Sequence, residues 1–248
     1  SAVLEDSDEE EGSADRVHLP LCATKATETW RDVDVNPELD EDEKRSIRAL
    51  LEEYSDIFSD VPGVTHLAEH GIILNSAEPV RVKAYPIPFN VRKAVDAEVQ
   101  QMLELGVIEP SQSPYASPLH LVKKKDGSLR PVVDFRRINK ITIFDAEPMP
   151  NADEIYSKLA SDKYFTKLDF TKGYWQIPMR AEDKPKTAFT CSAGSFQFAR
   201  MPFGLVNAGA AYNRMMRKLL DALTNVDSFV DDVLVHTGAW ADHLKSVR

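Results

Sequence analysis

Cysteine is almost absent. Cys22 and Cys191 are the only thiols in 248 residues. They are far apart and form no CxxC pair, so neither a zinc site nor a disulfide framework can be read. Apolar runs are short: none reaches 18 residues, which excludes the signature of a membrane-spanning helix. The N-terminus lacks a basic segment followed by an apolar run, so no secretory signal is legible. No internal repeat is visible, and His120, His236 and His243 show no ligand spacing. These absences point to an intracellular, reducing setting. Ser1 in place of Met reads as a processed product.

The net charge of -10 looks wrong for a partner of nucleic acid, but it is unevenly spread. Residues 1–60 hold 19 acids and 6 bases, giving -13, whereas residues 61–248 hold 21 acids and 24 bases, giving +3. A local basic surface governs phosphate binding more than the total does. A charge of +3 is also ordinary for a domain of this size, so charge alone decides nothing.

Residues 1–36 are acidic and poor in large apolar side chains, the composition of an unstructured leader or linker. Asp40 with Glu43 forms a capping-box pattern ahead of Ile47, Leu50, Leu51 and Tyr54 at helical spacing. Residues 70–88 carry Pro79, Pro86 and Pro88 and read as extended edge structure. A second helix is expected from an Asn90 cap to a stop at Gly106, with Val95, Val99, Met102 and Leu103 inward. His120–Lys123 and Pro131–Phe135 are β-prone runs about Asp126-Gly127, a hairpin signal. Asn151 caps a short helix to Leu159, and Tyr164–Asp169 is a strand. Thr187–Thr190 and Ser195–Ala199 form a hairpin with Ala193-Gly194 at its tip. A long helix from Asn207 to about Leu223 turns Tyr212, Met215, Met216, Leu219, Leu220 and Leu223 to one side. Two short strands then flank Asp231-Asp232.

Adjacent carboxylates in the apolar run Phe229–Val235 repel, and something positive usually compensates them. An exposed Asp-Asp turn explains the pair equally well taken alone. Asp169, however, ends another strand 62 residues before Asp231. Strand ends that each deliver a carboxylate could hold Mg²⁺, which takes one or two carboxylates and keeps waters. Two such ions about 3.5–4 Å apart serve in-line displacement at phosphorus. Lys123, Lys124, Lys125 and Arg130 could clamp a triphosphate. For a lysine-rich stretch by itself, a solvated hairpin is the plainer explanation. An aromatic ring at Tyr174 could exclude a sugar hydroxyl or simply fill a core.

In order along the chain come Val107-Ile108-Glu109-Pro110-Ser111, Ser113–Pro118, Val122–Ser128 and Arg130–Arg136. Leu168-Asp169, Gly173–Pro178, Lys186–Phe189, Met201–Ala208 and Phe229–Asp232 follow. Across nearly all of 40–248 this sequence resembles the reverse transcriptase of gypsy-type LTR retrotransposons. The resemblance implies an α+β fold: a right-hand polymerase palm, with a small antiparallel sheet and helices on one face, plus fingers built from β-hairpins and helix 90–105. It implies a leader over 1–36, a segment at 37–89 packing on the fingers, fingers over 90–160 and palm over 161–248.

The same resemblance makes Asp169, Asp231 and Asp232 the catalytic aspartates, with the Phe170 carbonyl joining the shell of two Mg²⁺ ions, or Mn²⁺ in their place. Lys124 or Lys125, with Arg130, would grip the incoming triphosphate. Tyr174 would lie under the sugar and favour deoxynucleotides, and Phe203 and Gly204 would pack against nucleotide and template. Implied partners are an RNA or DNA template with primer and deoxynucleoside triphosphates, with no membrane. A longer polyprotein with protease, RNase H and integrase is implied too, in a cytoplasmic particle or the nucleus.

The sequence departs from the family at Phe229, usually Tyr, and at Gly209-Ala210-Ala211-Tyr212, usually Pro-Ala-Thr-Phe. No thumb, connection or RNase H follows, and no Asp-Thr-Gly or Asp-Ser-Gly protease motif precedes. A fragment or a degenerate copy is therefore expected. A non-catalytic binding remnant is the competing function, and all three aspartates favour the enzyme. A generic two-metal nuclease or phosphatase is disfavoured, because the extra His and Asp ligands are missing.

Overall fold

The computed structural model describes residues 28–123, 129–229 and 232–248. Helix α1 (Glu41–Glu53) begins at Asp40, whose carboxylate accepts from the Asp42 and Glu43 N–H groups while Glu43 accepts from the Asp40 N–H. Both halves of the expected capping box are thus made. The unstructured leader expected over 1–36 ends early. Thr29 caps a 3₁₀ turn at Trp30–Asp32, and Trp30 and Val35 pack on α1. The rest of that expectation lies outside the described residues.

Helix α2 (Phe89–Glu104) starts one residue before the expected cap: Pro88 is the cap residue and Asn90 is already helical. Proline's fixed φ suits it to a helix start. The stop at Gly106 is as read. With φ at 63°, Gly106 donates to the Leu103 carbonyl at 3.0 Å, and Val107 donates to that of Met102 at 2.9 Å. This is the paired closure of a Schellman motif.

Strands β1 (Ile108–Pro110), β2 (Ser117–Lys123) and β3 (Leu129–Val133) join β5 (Phe189–Cys191) and β6 (Gly194–Phe198) in a five-stranded sheet of order β1-β6-β5-β2-β3. The β2–β3 hairpin is as expected, with Lys123 opposite Leu129, and its connection lies outside the described residues. In β5–β6, Cys191 pairs with Gly194, so Ser192-Ala193 is the tip and Gly194 already belongs to the strand. One pairing is parallel, Ser117 with Phe189 and Pro118 with Thr190. This sheet draws strands from both sides of the 160/161 boundary.

After α3 (Arg136–Ile141) and α4 (Ala152–Leu159), capped by Asn151, strand β4 (Tyr164–Asp169) enters a second sheet. It pairs with β8 (Asp232–Thr237), which pairs with β7 (Val226–Phe229), both antiparallel. Alternation places Thr166, Val233 and Val235 on one face, where Val233 and Val235 are buried, and Lys167, Asp169 and Asp232 on the other. On the covered face, His243 of α6 (Trp240–Val247) contacts the Thr166 and Thr237 hydroxyls.

Helix α5 (Ala208–Leu220) buries Tyr212, Met215 and Met216, whereas Leu219 and Leu223 are exposed, so the expected apolar side is narrower than read. Asn207 stands at its N-cap without capping. Its side chain instead accepts from the Asp145 N–H at 3.0 Å and donates to the Ile143 carbonyl at 2.8 Å. Trp175 and Ile177 are buried, but in and just after a 3₁₀ turn, outside the two sheets. Within 37–89, Val80 and Val82 bond to Ala116 of the 90–160 segment, whereas helix α1 packs elsewhere. Ile47, Leu50 and Leu51 meet Trp240, Leu244 and Val247 of α6, because these two amphipathic stripes cover each other.

Candidate active site

Strand β4 ends where β8 begins. Asp169 and Asp232 are direct cross-strand partners, and Phe229 closes the β7–β8 hairpin opposite Asp232. Direct partners in an antiparallel pair carry Cβ atoms about 4.5–5.5 Å apart, so two carboxylates share one exposed face. Asp231 lies outside the described residues. Lys167, on the same face, places Nζ 3.0 Å from Asp232 Oδ1. Both side chains are largely exposed, so this pair adds little to stability. Two hard oxygen donors on one accessible edge fit Mg²⁺, which dehydrates reluctantly and asks the protein for few ligands.

The chain leaves β4 through a tight turn. The Phe170 carbonyl accepts from the Gly173 N–H at 3.0 Å, which leaves one lone pair of that oxygen. Lys172 adopts a left-handed conformation, with φ at 47°. Its ammonium lies 4.8 Å from the centre of the Trp175 ring, and burial pushes its pKa down. Thr171 donates to the Ser59 carbonyl at 2.6 Å, tying this turn to the segment after α1.

The 3₁₀ turn Gly173–Gln176 carries Tyr174. Its ring stacks on Phe203 with centroids 5.0 Å apart and planes at 22°, and meets Tyr212 at 5.2 Å. Gly204, with φ at 92°, turns the chain behind Phe203. Tyr174, Phe203 and Gly204 therefore form one cluster. Arg130 lies in β3 opposite Val122. Its side chain, like Lys124 and Lys125, falls outside the description.

Two features went unread in the sequence. Asn139 of α3 donates to the Gly204 carbonyl at 2.8 Å and accepts from the Val206 N–H at 3.0 Å, pinning the Phe203 loop from both sides. Asp134 takes a bidentate bond from Arg136, at 2.8 and 2.7 Å, and a third from the Tyr85 hydroxyl at 3.2 Å. The guanidinium holds this carboxyl well below the usual carboxylate range. The run Arg130–Arg136 was legible as a motif, and Asn139 lies beyond it. Which of its side chains bond, and to what, depends on loops far away in sequence.

A family described as reverse transcriptase (RNA-dependent DNA polymerase) matches residues 122–248. The Pol polyprotein of the Drosophila melanogaster transposon opus is 36% identical over 246 residues, covering 94% of this chain and 24% of the relative. That of transposon gypsy is 33% identical and covers 99% of this chain and 24% of the relative. The chain thus spans about a quarter of the length of these relatives. Among solved structures, the native prototype foamy virus protease-reverse transcriptase superposes with a TM-score of 0.76 at 27% identity, over 85% of this chain and 29% of that one. The foamy viral enzyme in complex with an RNA/DNA hybrid gives 0.77 at 24% identity, over the same shares. The two sheets and their helices therefore have the palm-and-fingers polymerase fold.

Proposed function

The chain belongs to the reverse transcriptase family of retrotransposon Pol polyproteins, and from that premise we propose that it is the fingers-and-palm part of an RNA-directed DNA polymerase using two divalent ions. The observation that carries this reading is the cross-strand pairing of Asp169 with Asp232 on an exposed sheet edge. Asp169 and Asp232, with Asp231 from the hairpin between β7 and β8, would hold Mg²⁺ or Mn²⁺. The Phe170 carbonyl would be a further oxygen ligand. When bound, such ions acidify the primer 3′-hydroxyl and neutralise the triphosphate.

In the reaction, the primer 3′ oxygen forms a bond to the α-phosphorus of a deoxynucleoside triphosphate and pyrophosphate leaves. Lys124, Lys125 and Arg130 would grip the β- and γ-phosphates from the β2–β3 hairpin, where charge-assisted bonds orient the leaving group. Tyr174 would stand under the sugar and exclude a 2′-hydroxyl. Phe203 and Gly204 would border nucleotide and template. The template is RNA or DNA, and the foamy viral relative captured with an RNA/DNA hybrid supports this substrate class.

Primer extension on poly(rA)·oligo(dT) with Mg²⁺ tests the reading. Incorporation by the native chain and its loss in Asp231→Asn and Asp169→Asn is expected. Incorporation that survives Asp231→Asn would defeat the metal assignment. A chain that binds primer–template and adds nothing would be a non-catalytic remnant.

A further inference from the structure

A ring that excludes a hydroxyl by bulk works only while it cannot yield, since displacements of about 1 Å at a reacting sugar change rates strongly. Tyr174 is held on two sides. Phe203 stacks on one face at 5.0 Å and 22°, and Tyr212 approaches from another direction at 5.2 Å and 46°. Tyr212 is only 1% exposed, so it cannot move without opening the core. It also lies directly against the backbone of the gate turn. A Cβ on Gly173 would stand 2.7 Å from the Tyr212 hydroxyl and 2.9 Å from its ring, so only glycine lets the turn settle onto this ring. Phe203 is held in its turn by Asn139, through bonds of 2.8 and 3.0 Å to the Gly204 carbonyl and the Val206 N–H.

We propose that sugar discrimination in this chain depends on this aromatic brace, with Phe203, Tyr212 and Asn139 as positioning residues for Tyr174. The inference rests on the polymerase reading above and on Tyr174 as the sugar gate. Asn139 is its most diagnostic member, because it acts on the gate through Phe203.

Incorporation of dATP and ATP, which differ only in the 2′-hydroxyl, is compared on an oligo(dT)-containing template for the native chain, Asn139→Ala, Phe203→Leu and Tyr174→Ala. Tyr174→Ala is expected to abolish most of the preference. Asn139→Ala and Phe203→Leu are expected to lower the ratio of kcat/KM values about tenfold, the scale of one good aromatic contact, mainly through better use of ATP. A merely structural effect would slow both nucleotides alike and leave the ratio fixed. An unchanged ratio in both variants, while Tyr174→Ala collapses it, overturns the brace and spares the gate. No change in Tyr174→Ala defeats the gate and the brace together. A second readout needs no turnover: ring signals of a labelled Tyr174. Slow ring flipping in the native chain and averaging in Asn139→Ala and Phe203→Leu are expected. Identical spectra overturn the brace even in a chain that extends no primer.

Discussion

In the five-stranded sheet Phe189, Phe196 and Phe198 are buried, with the Phe196 and Phe198 rings 5.8 and 5.5 Å from that of Phe189, whereas in the three-stranded sheet Phe165 and Phe229 are 50% and 44% exposed. Strand β4 has no buried residue, yet it carries Asp169. The difference shows how the chain divides its tasks. The larger sheet joins α2 and α5 in one continuous core, with Val95, Val99, Phe189 and Met216 at its centre. The smaller sheet buries one face against helices, and on the other face the end that carries Asp169 and Asp232 is exposed. Stability then resides mainly in the first sheet, and the exposed carboxylates in the second.

The largest expected effect tests that division directly. Phe189→Ala empties a fully buried site and should cost about 3–5 kcal/mol in urea denaturation. Phe165→Ala, half exposed, should stay within about 0.5 kcal/mol. Equal losses would erase the contrast.

His70 comes next, as a buried titratable group outside both sheets. It is buried beside Met179, and desolvation lowers its pKa to about 4 from 6.5, with Asp183 and Asp145 opposing and Arg180 assisting. The folded state therefore holds the ring neutral while the unfolded chain protonates below 6.5. Its contribution is complete above pH 6.5 and lost as pH falls toward 4, about 3 kcal/mol in all. Denaturation at pH 7 and pH 4.5 should show a smaller acid loss in His70→Leu than in the native chain. The same loss in both would mean that other groups carry it.

A smaller effect is expected at Gly106. Its φ of 63° is costly for a side chain, and open space surrounds it, so Gly106→Ala should cost about 1 kcal/mol from backbone conformation alone. Gly106→Asn should cost less, since asparagine tolerates the left-handed region. A clash-sized loss measured for Ala would show that the helix end is packed more tightly than this geometry allows.

Features with local causes were legible. The Asp40–Glu43 box, the Gly106 stop, the β2–β3 hairpin and the span of β4 each follow from hydrogen bonds or φ preferences within a few residues. The pairing of Asp169 with Asp232 was legible only as an expectation that strand ends converge. Partner choice between distant segments was not legible. The parallel register of Ser117 with Phe189, the docking of α1 on α6 and the two bonds of Asn139 are set by shape and by loops 65 or more residues away. Amphipathic stripes such as Ile47-Leu50-Leu51 announce that a face will be covered and leave open by what.

The smallest expected change in stability lies at the acidic strand ends, where the effect on activity should be complete. The Lys167–Asp232 pair is mostly exposed, so Lys167→Met should alter stability by less than about 0.5 kcal/mol. Asp169→Asn removes one of two neighbouring like charges. Asparagine keeps the shape of this exposed side chain and no core contact is lost, so stability should stay within about 0.5 kcal/mol of the native chain. The urea midpoint and primer extension, measured on the same preparation, check both halves. Incorporation should drop to background while the midpoint holds. If Asp169→Asn instead lost more than about 1 kcal/mol, its carboxylate would be supporting the sheet. The open edge would then belong to the fold as much as to the chemistry, and the division of labour between the two sheets would fail at its most functional residue.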